Sequence, residues 1–188
     1  MSVSGFGAGP KGGLLLVGLG RQQELEGLAA VAARLAAAEG VAVRQLAGAG
    51  DPDAGLAALT GAATGPWLAA LSVDPGLPLE RGGSWAEALG AWRQPCLLVV
   101  RGEQLDTGLP AAGAALLERW RVPLAGLVQV GGDWQPTERR RDGLPWLGWL
   151  PESGEPDIAE IAAIERNEQA MAALRQVLRG RWRVLQAA

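Results

Sequence analysis

Lys11 is the only lysine of the chain, and there is no histidine. Every other basic side chain is an arginine, which stays protonated in a protein and serves neither as general base nor as Schiff-base amine. Histidine triads, histidine zinc sites and histidine proton shuttles are therefore excluded, and lysine chemistry is confined to position 11. What remains is a set of loops that could hold an anion or a cation. In GLGRQQELEG, Gly18 and Gly20 follow an apolar run, and backbone amides at a helix start attract anions. A dinucleotide fingerprint needs a third glycine where Gln23 stands, and a phosphate loop needs Gly-Lys-Thr where Arg21, Gln22 and Gln23 stand. The simpler reading of the two glycines is a tight turn into a helix. Gly5 to Gly12 reproduces the phosphate-loop spacing up to Lys11, but Pro10 removes an amide and Gly12 replaces the magnesium-binding hydroxyl. It also precedes the first strand, so it is rejected.

Asp74 lies at a strand end, where a carboxylate suits magnesium; the alternative is that it opens a turn with Pro75. Asp106 and Thr107 follow the run CLLVV and are candidates for ligand contact, with Thr107 equally suited to cap the next helix. Cys96 is alone in an apolar run, which leaves no partner for an internal disulfide and no cysteine metal cluster.

These positions need elements to hold them. Residues 1–12 are rich in glycine and read as a flexible arm, and residues 13–188 read as one α/β domain. GLLLVGLG, from Gly13, has the continuous apolar character of a strand buried on both faces. A helix is expected from Gln22 to Glu39, burying Leu25, Leu28, Ala32 and Leu35 and turning Glu24, Arg34 and Glu39 to water. Gly40 should end it, before the strand VAVRQL. DAGLAALTG reads as a short helix, and Trp67 to Asp74 as a strand. Ser84 and Glu87 have the capping-box spacing for the helix WAEALGAW. CLLVV is the clearest buried strand. Pro110 belongs to the first turn of a helix carrying Leu116, Leu117 and Trp120 inward. PLAGLVQV and LPWLGWLP complete the strands, with Arg139, Arg140 and Arg141 in a solvated loop between them. Asp157 and Glu160 would cap a final helix over about 157–179, with Ile158, Ile161, Met171, Leu174 and Leu178 inside and Gly180 as its stop. Strands alternating with helices predict a doubly wound, mostly parallel sheet with helices on both faces, in three layers.

A formal charge of -3 gives no polyanion-binding signal, so neither nucleic acid nor an anionic membrane is expected as a partner. The run Leu14 to Leu19 is far shorter than the roughly 20 residues that span a bilayer. A soluble protein of the cytoplasm is expected.

The stretch WAEALGAWRQPCLLVVRGEQLDTGLPAAGAALLERWRVPLAGLVQVGG, Trp85 to Gly132, followed by LPWLGWLP, resembles the second half of dethiobiotin synthetase, a family of the P-loop NTPase superfamily. The resemblance implies a P-loop NTPase-like three-layer fold and an ATP- and magnesium-dependent ligase that closes the ureido ring of dethiobiotin from diaminopelargonic acid and carbon dioxide. The family's phosphate loop falls at Gly18 to Leu28, where its lysine and threonine are missing. Its Lys-Pro substrate motif falls at Arg44 and Gln45. Its Glu-Gly-Ala-Gly-Gly motif falls at Asp74 to Pro78, keeping a carboxylate and Gly76, and its adenine-reading asparagine falls at or near Val130. Charge-neutralising groups supply most of the catalysis in phosphoryl transfer, and losing one costs about 2–4 kcal/mol in the transition state. The expectation is a degenerate member of that fold acting as a binding or regulatory protein. The alternatives are an active ligase, with ATP and Mg held by Asp74 and by Arg21 or Arg44, and an interaction module or homodimer that uses Trp134, Trp146, Trp149 and Trp182.

Overall fold

A computed structural model describes residues 12–46, 50–61, 64–152 and 161–187. Lys11 with the arm before it, and the proposed capping pair Asp157 and Glu160 with Ile158, lie outside the described residues. The chain runs β1 (Gly13–Val17), α1 (Gln22–Leu25), α2 (Leu28–Glu39), β2 (Ala42–Arg44), α3 (Pro52–Gly61), β3 (Trp67–Ala70), α4 (Trp85–Ala91) and β4 (Cys96–Arg101). A turn of 3-10 helix, Gly102–Gln104, leads to α5 (Leu109–Arg119), β5 (Leu124–Val130), α6 (Pro136–Arg141), β6 (Trp146–Leu150) and α7 (Ile161–Ala187). The described strands form one six-stranded sheet in the order β2-β3-β1-β4-β5-β6, with every neighbouring pair parallel.

The apolar runs explain the layering. Successive side chains of a strand point to opposite faces. Leu14 and Leu16 of β1 therefore join a core with Leu28, Val31 and Leu35 of α2 and Leu174, Leu178 and Trp182 of α7. Leu15 and Val17 join a second core with Leu56 of α3, Trp85 and Leu89 of α4, and Leu117 of α5. The result is the expected α/β architecture, a parallel sheet between two helical layers. All loops that follow strands consequently open on one edge, the carboxyl edge, where ligands of such sheets bind.

Local signals account for several element ends. Gly40, at φ +67, closes α2 in the left-handed conformation that favours glycine. The Ser84 hydroxyl accepts the Glu87 amide at 3.3 Å and starts α4, and Pro110 sits in the first turn of α5.

Several expectations are corrected. The helix expected over Gln22 to Glu39 is interrupted at Glu26 and Gly27. There the Arg101 guanidinium passes so close that a β-carbon on residue 27 would lie 3.0 Å from it. β3 ends at Ala70, four residues before Asp74, although the Leu71 amide still donates to the Leu16 carbonyl at 2.9 Å. The stretch with Arg139, Arg140 and Arg141 is a short helix, α6, in place of a loop, and Arg140 and Arg141 are exposed as expected. Its Arg139 is half-buried, 5.3 Å from the centroid of the Trp146 ring and 3.5 Å from Asp142. α7 continues through Gly180 to Ala187, because stopping there would leave Trp182, which is fully buried, without its helix. A glycine inside a helix costs about 1 kcal/mol, whereas a buried tryptophan contributes about 3–5 kcal/mol. Finally, Glu39 does not face water. Its side chain is 2% exposed and pairs with Arg175 at 3.0 Å and with Arg179, fastening α2 to α7.

Candidate functional site

The loop after β1 is the centre of the carboxyl edge, since β1 lies between β3 and β4. Gly18 is buried, and a β-carbon on it would press against Leu25 and Leu28 at 3.0 and 3.2 Å, so the turn sits tightly on the start of the helical layer. Gly20 has φ +117, a conformation side chains rarely adopt. Its amide donates to Asp74 Oδ2 at 2.8 Å, across 54 residues of sequence. The next amide, of Arg21, donates to the carboxylate of Glu24. Arg21, Gln22 and Gln23 themselves are exposed.

Asp74 also accepts the Gly76 amide on Oδ1 at 2.8 Å, and the Leu77 amide donates to the Asp74 carbonyl at 3.2 Å. It thus opens the turn with Pro75 while reaching across to β1. Both of its oxygens hold backbone amides. Among the described residues no group of three or more acidic or cysteine side chains is placed to hold a metal ion.

The loop after β4 supplies residues that the sequence did not single out. Gln104 is 4% exposed. Its Nε2 donates to the Leu19 carbonyl at 2.9 Å and to Glu24 Oε1 at 3.4 Å, and its Oε1 accepts the Arg101 amide at 3.0 Å. Arg101 extends between Glu103 at 2.7 Å and Glu152 at 2.6 Å. Backbone hydrogen bonding, followed by the bond from Arg101, holds the Glu103 carboxyl below its ordinary range. The bond to the Arg101 amide is local, three residues away, whereas the Leu19 and Glu24 partners of Gln104 lie 85 and 80 residues away. The space enclosed by Gly18, Glu24, Arg101, Gln104 and Val130 is about 10 Å³, the room of one water molecule.

The remaining candidates do not join this cluster. Arg44, at the end of the edge strand β2, donates to the Leu59 carbonyl of α3 at 3.2 Å. Thr107 accepts the Leu109 amide at 3.1 Å and donates to the Gln104 carbonyl at 2.6 Å, a local turn just before Gly108, which takes the N-cap position of α5 in its place. Asp106 is exposed. Of the four late tryptophans, Trp182 is core. Trp146 donates to Asp142 at 2.8 Å and Trp149 to the Gly131 carbonyl at 3.1 Å, while Trp134 meets Trp146 edge to face at 6.4 Å between centroids. An open cleft of about 810 Å³ lies between the start of α3 and the segment joining β3 to α4, lined by Asp51, Asp53, Glu80, Arg81 and Glu87 among others.

The central cluster is a hydrogen-bond network in which the Asp74 and Glu24 carboxylates hold backbone amides. No helix among the described residues is long and apolar enough to cross a membrane. No protein-family model matches the chain, and no curated protein matches it.

Proposed function

We propose that the chain is a non-catalytic domain of dethiobiotin-synthetase type that works as a binding or regulatory protein. One observation carries the reading: the loop where such a ligase cradles phosphate has its Gly20 and Arg21 amides on the chain's own carboxylates, Asp74 and Glu24. A phosphate approaching those amides would meet two negative charges in place of a lysine. In this reading ATP and magnesium do not suit the loop, since Asp74 is committed to two amides and Glu24 to a third. Arg21 is exposed and Arg44 is tied to α3, so neither arginine is arranged to replace the missing lysines.

Incubation of the purified protein with ATP, magnesium, bicarbonate and diaminopelargonic acid tests the proposal. No release of ADP coupled to dethiobiotin is expected. Coupled turnover would overturn it and establish an active ligase.

A further inference from the structure

We infer that Asp74 and Glu24 are built-in ligands of the loop after β1, holding in the free chain the amides that a bound phosphate holds in a phosphate loop. The inference rests on the non-catalytic reading, because a nucleotide-binding loop would have to release both carboxylates. Asp74 joins the Gly20 and Gly76 amides at 2.8 Å each, linking the end of β1 to the end of β3. Glu24 takes the Arg21 amide, and its other oxygen meets Gln104, whose side chain also holds the Leu19 carbonyl and the Arg101 amide. Two sets of hydrogen bonds, joined through the Gly20–Arg21 peptide, therefore connect the segments that follow β3, β1 and β4, three neighbouring strands of the sheet. In a phosphate loop, the backbone amides around a glycine-rich turn are gathered by the anion they bind. Here the gathering groups are part of the chain.

Amide hydrogen exchange on the ligand-free protein tests this. The Gly20 and Gly76 amides should be protected in the wild type. Asp74→Ala should speed exchange at both by about tenfold or more, while the Leu16 amide inside β1 stays protected. Asp74→Asn keeps one acceptor oxygen and should free one of the two amides; it decides the matter if the alanine variant does not fold. Unprotected Gly20 and Gly76 amides in the wild type, or unchanged protection in the folded Asp74 variants, would overturn the inference. Coupled ligase turnover would instead overturn the non-catalytic reading, so the two failures are told apart.

Discussion

Gly20 combines φ +117 with a neighbour, the Glu24 carboxylate, that occupies the place of any β-carbon. A residue with a side chain there would strain the backbone by about 1–3 kcal/mol and push Glu24 away from the Arg21 amide. Gly20→Ala is accordingly expected to lower the unfolding free energy, read from denaturant titration, by that amount, whereas Gly108→Ala, at φ -75 with open space around it, should leave it nearly unchanged. Equal effects from the two would contradict this account of the loop. Cys96 gives a second residue-scale expectation. Burial pushes its thiol far above the ordinary range, so the folded chain keeps that proton where the unfolded chain loses it. Above roughly pH 8.5 the unfolded state binds fewer protons, and stability falls with rising pH by up to about 1.4 kcal/mol per unit. Replacing Cys96 by alanine should remove that alkaline slope, measured as midpoint against pH from 7 to 10.

At the scale of elements, α7 makes the strongest claim. Trp182 is fully buried in the core formed with α2 and the sheet, so Trp182→Ala should cost about 3–5 kcal/mol. Gly180 is exposed, with nothing near its missing side chain, and Gly180→Ala should stabilise the helix by about 0.5–1 kcal/mol. If α7 instead stopped at Gly180, the first change would be mild and the second neutral or harmful; thermal unfolding of both variants distinguishes the cases. The same helix shows where reading the sequence stopped short. A glycine after an apolar stripe is a stop signal in isolation, and only the three-dimensional position of Trp182 outweighs it. The helical pattern alone turns Glu39 to solvent, because its partners, Arg175 and Arg179, are 136 and 140 residues away. Ser84, Gly40 and Pro110 were legible because their physics is local, within three or four residues of the helix end.

Across the whole molecule, the continuous apolar runs of β1 and β4 were enough to place a parallel sheet between helices, since only burial on both faces suits such runs. The candidate loop after β1 was also legible as a position. Its chemistry was not, because Asp74 and Gln104 reach Gly20, Leu19 and Glu24 through folding and not through spacing. Under the proposed reading, those long-range bonds make the loop one whose Gly20 and Arg21 amides the chain occupies itself. A ligand that binds only the folded state stabilises it by mass action, by about 2.7 kcal/mol at a hundred times its Kd. For a chain of 188 residues that corresponds to a rise in melting midpoint of roughly 5–10 °C. The direct measurement is the thermal midpoint of the purified protein with and without millimolar ATP or ADP and magnesium. The closed, carboxylate-filled loop predicts an unchanged midpoint, and a rise of several degrees with either nucleotide would contradict it.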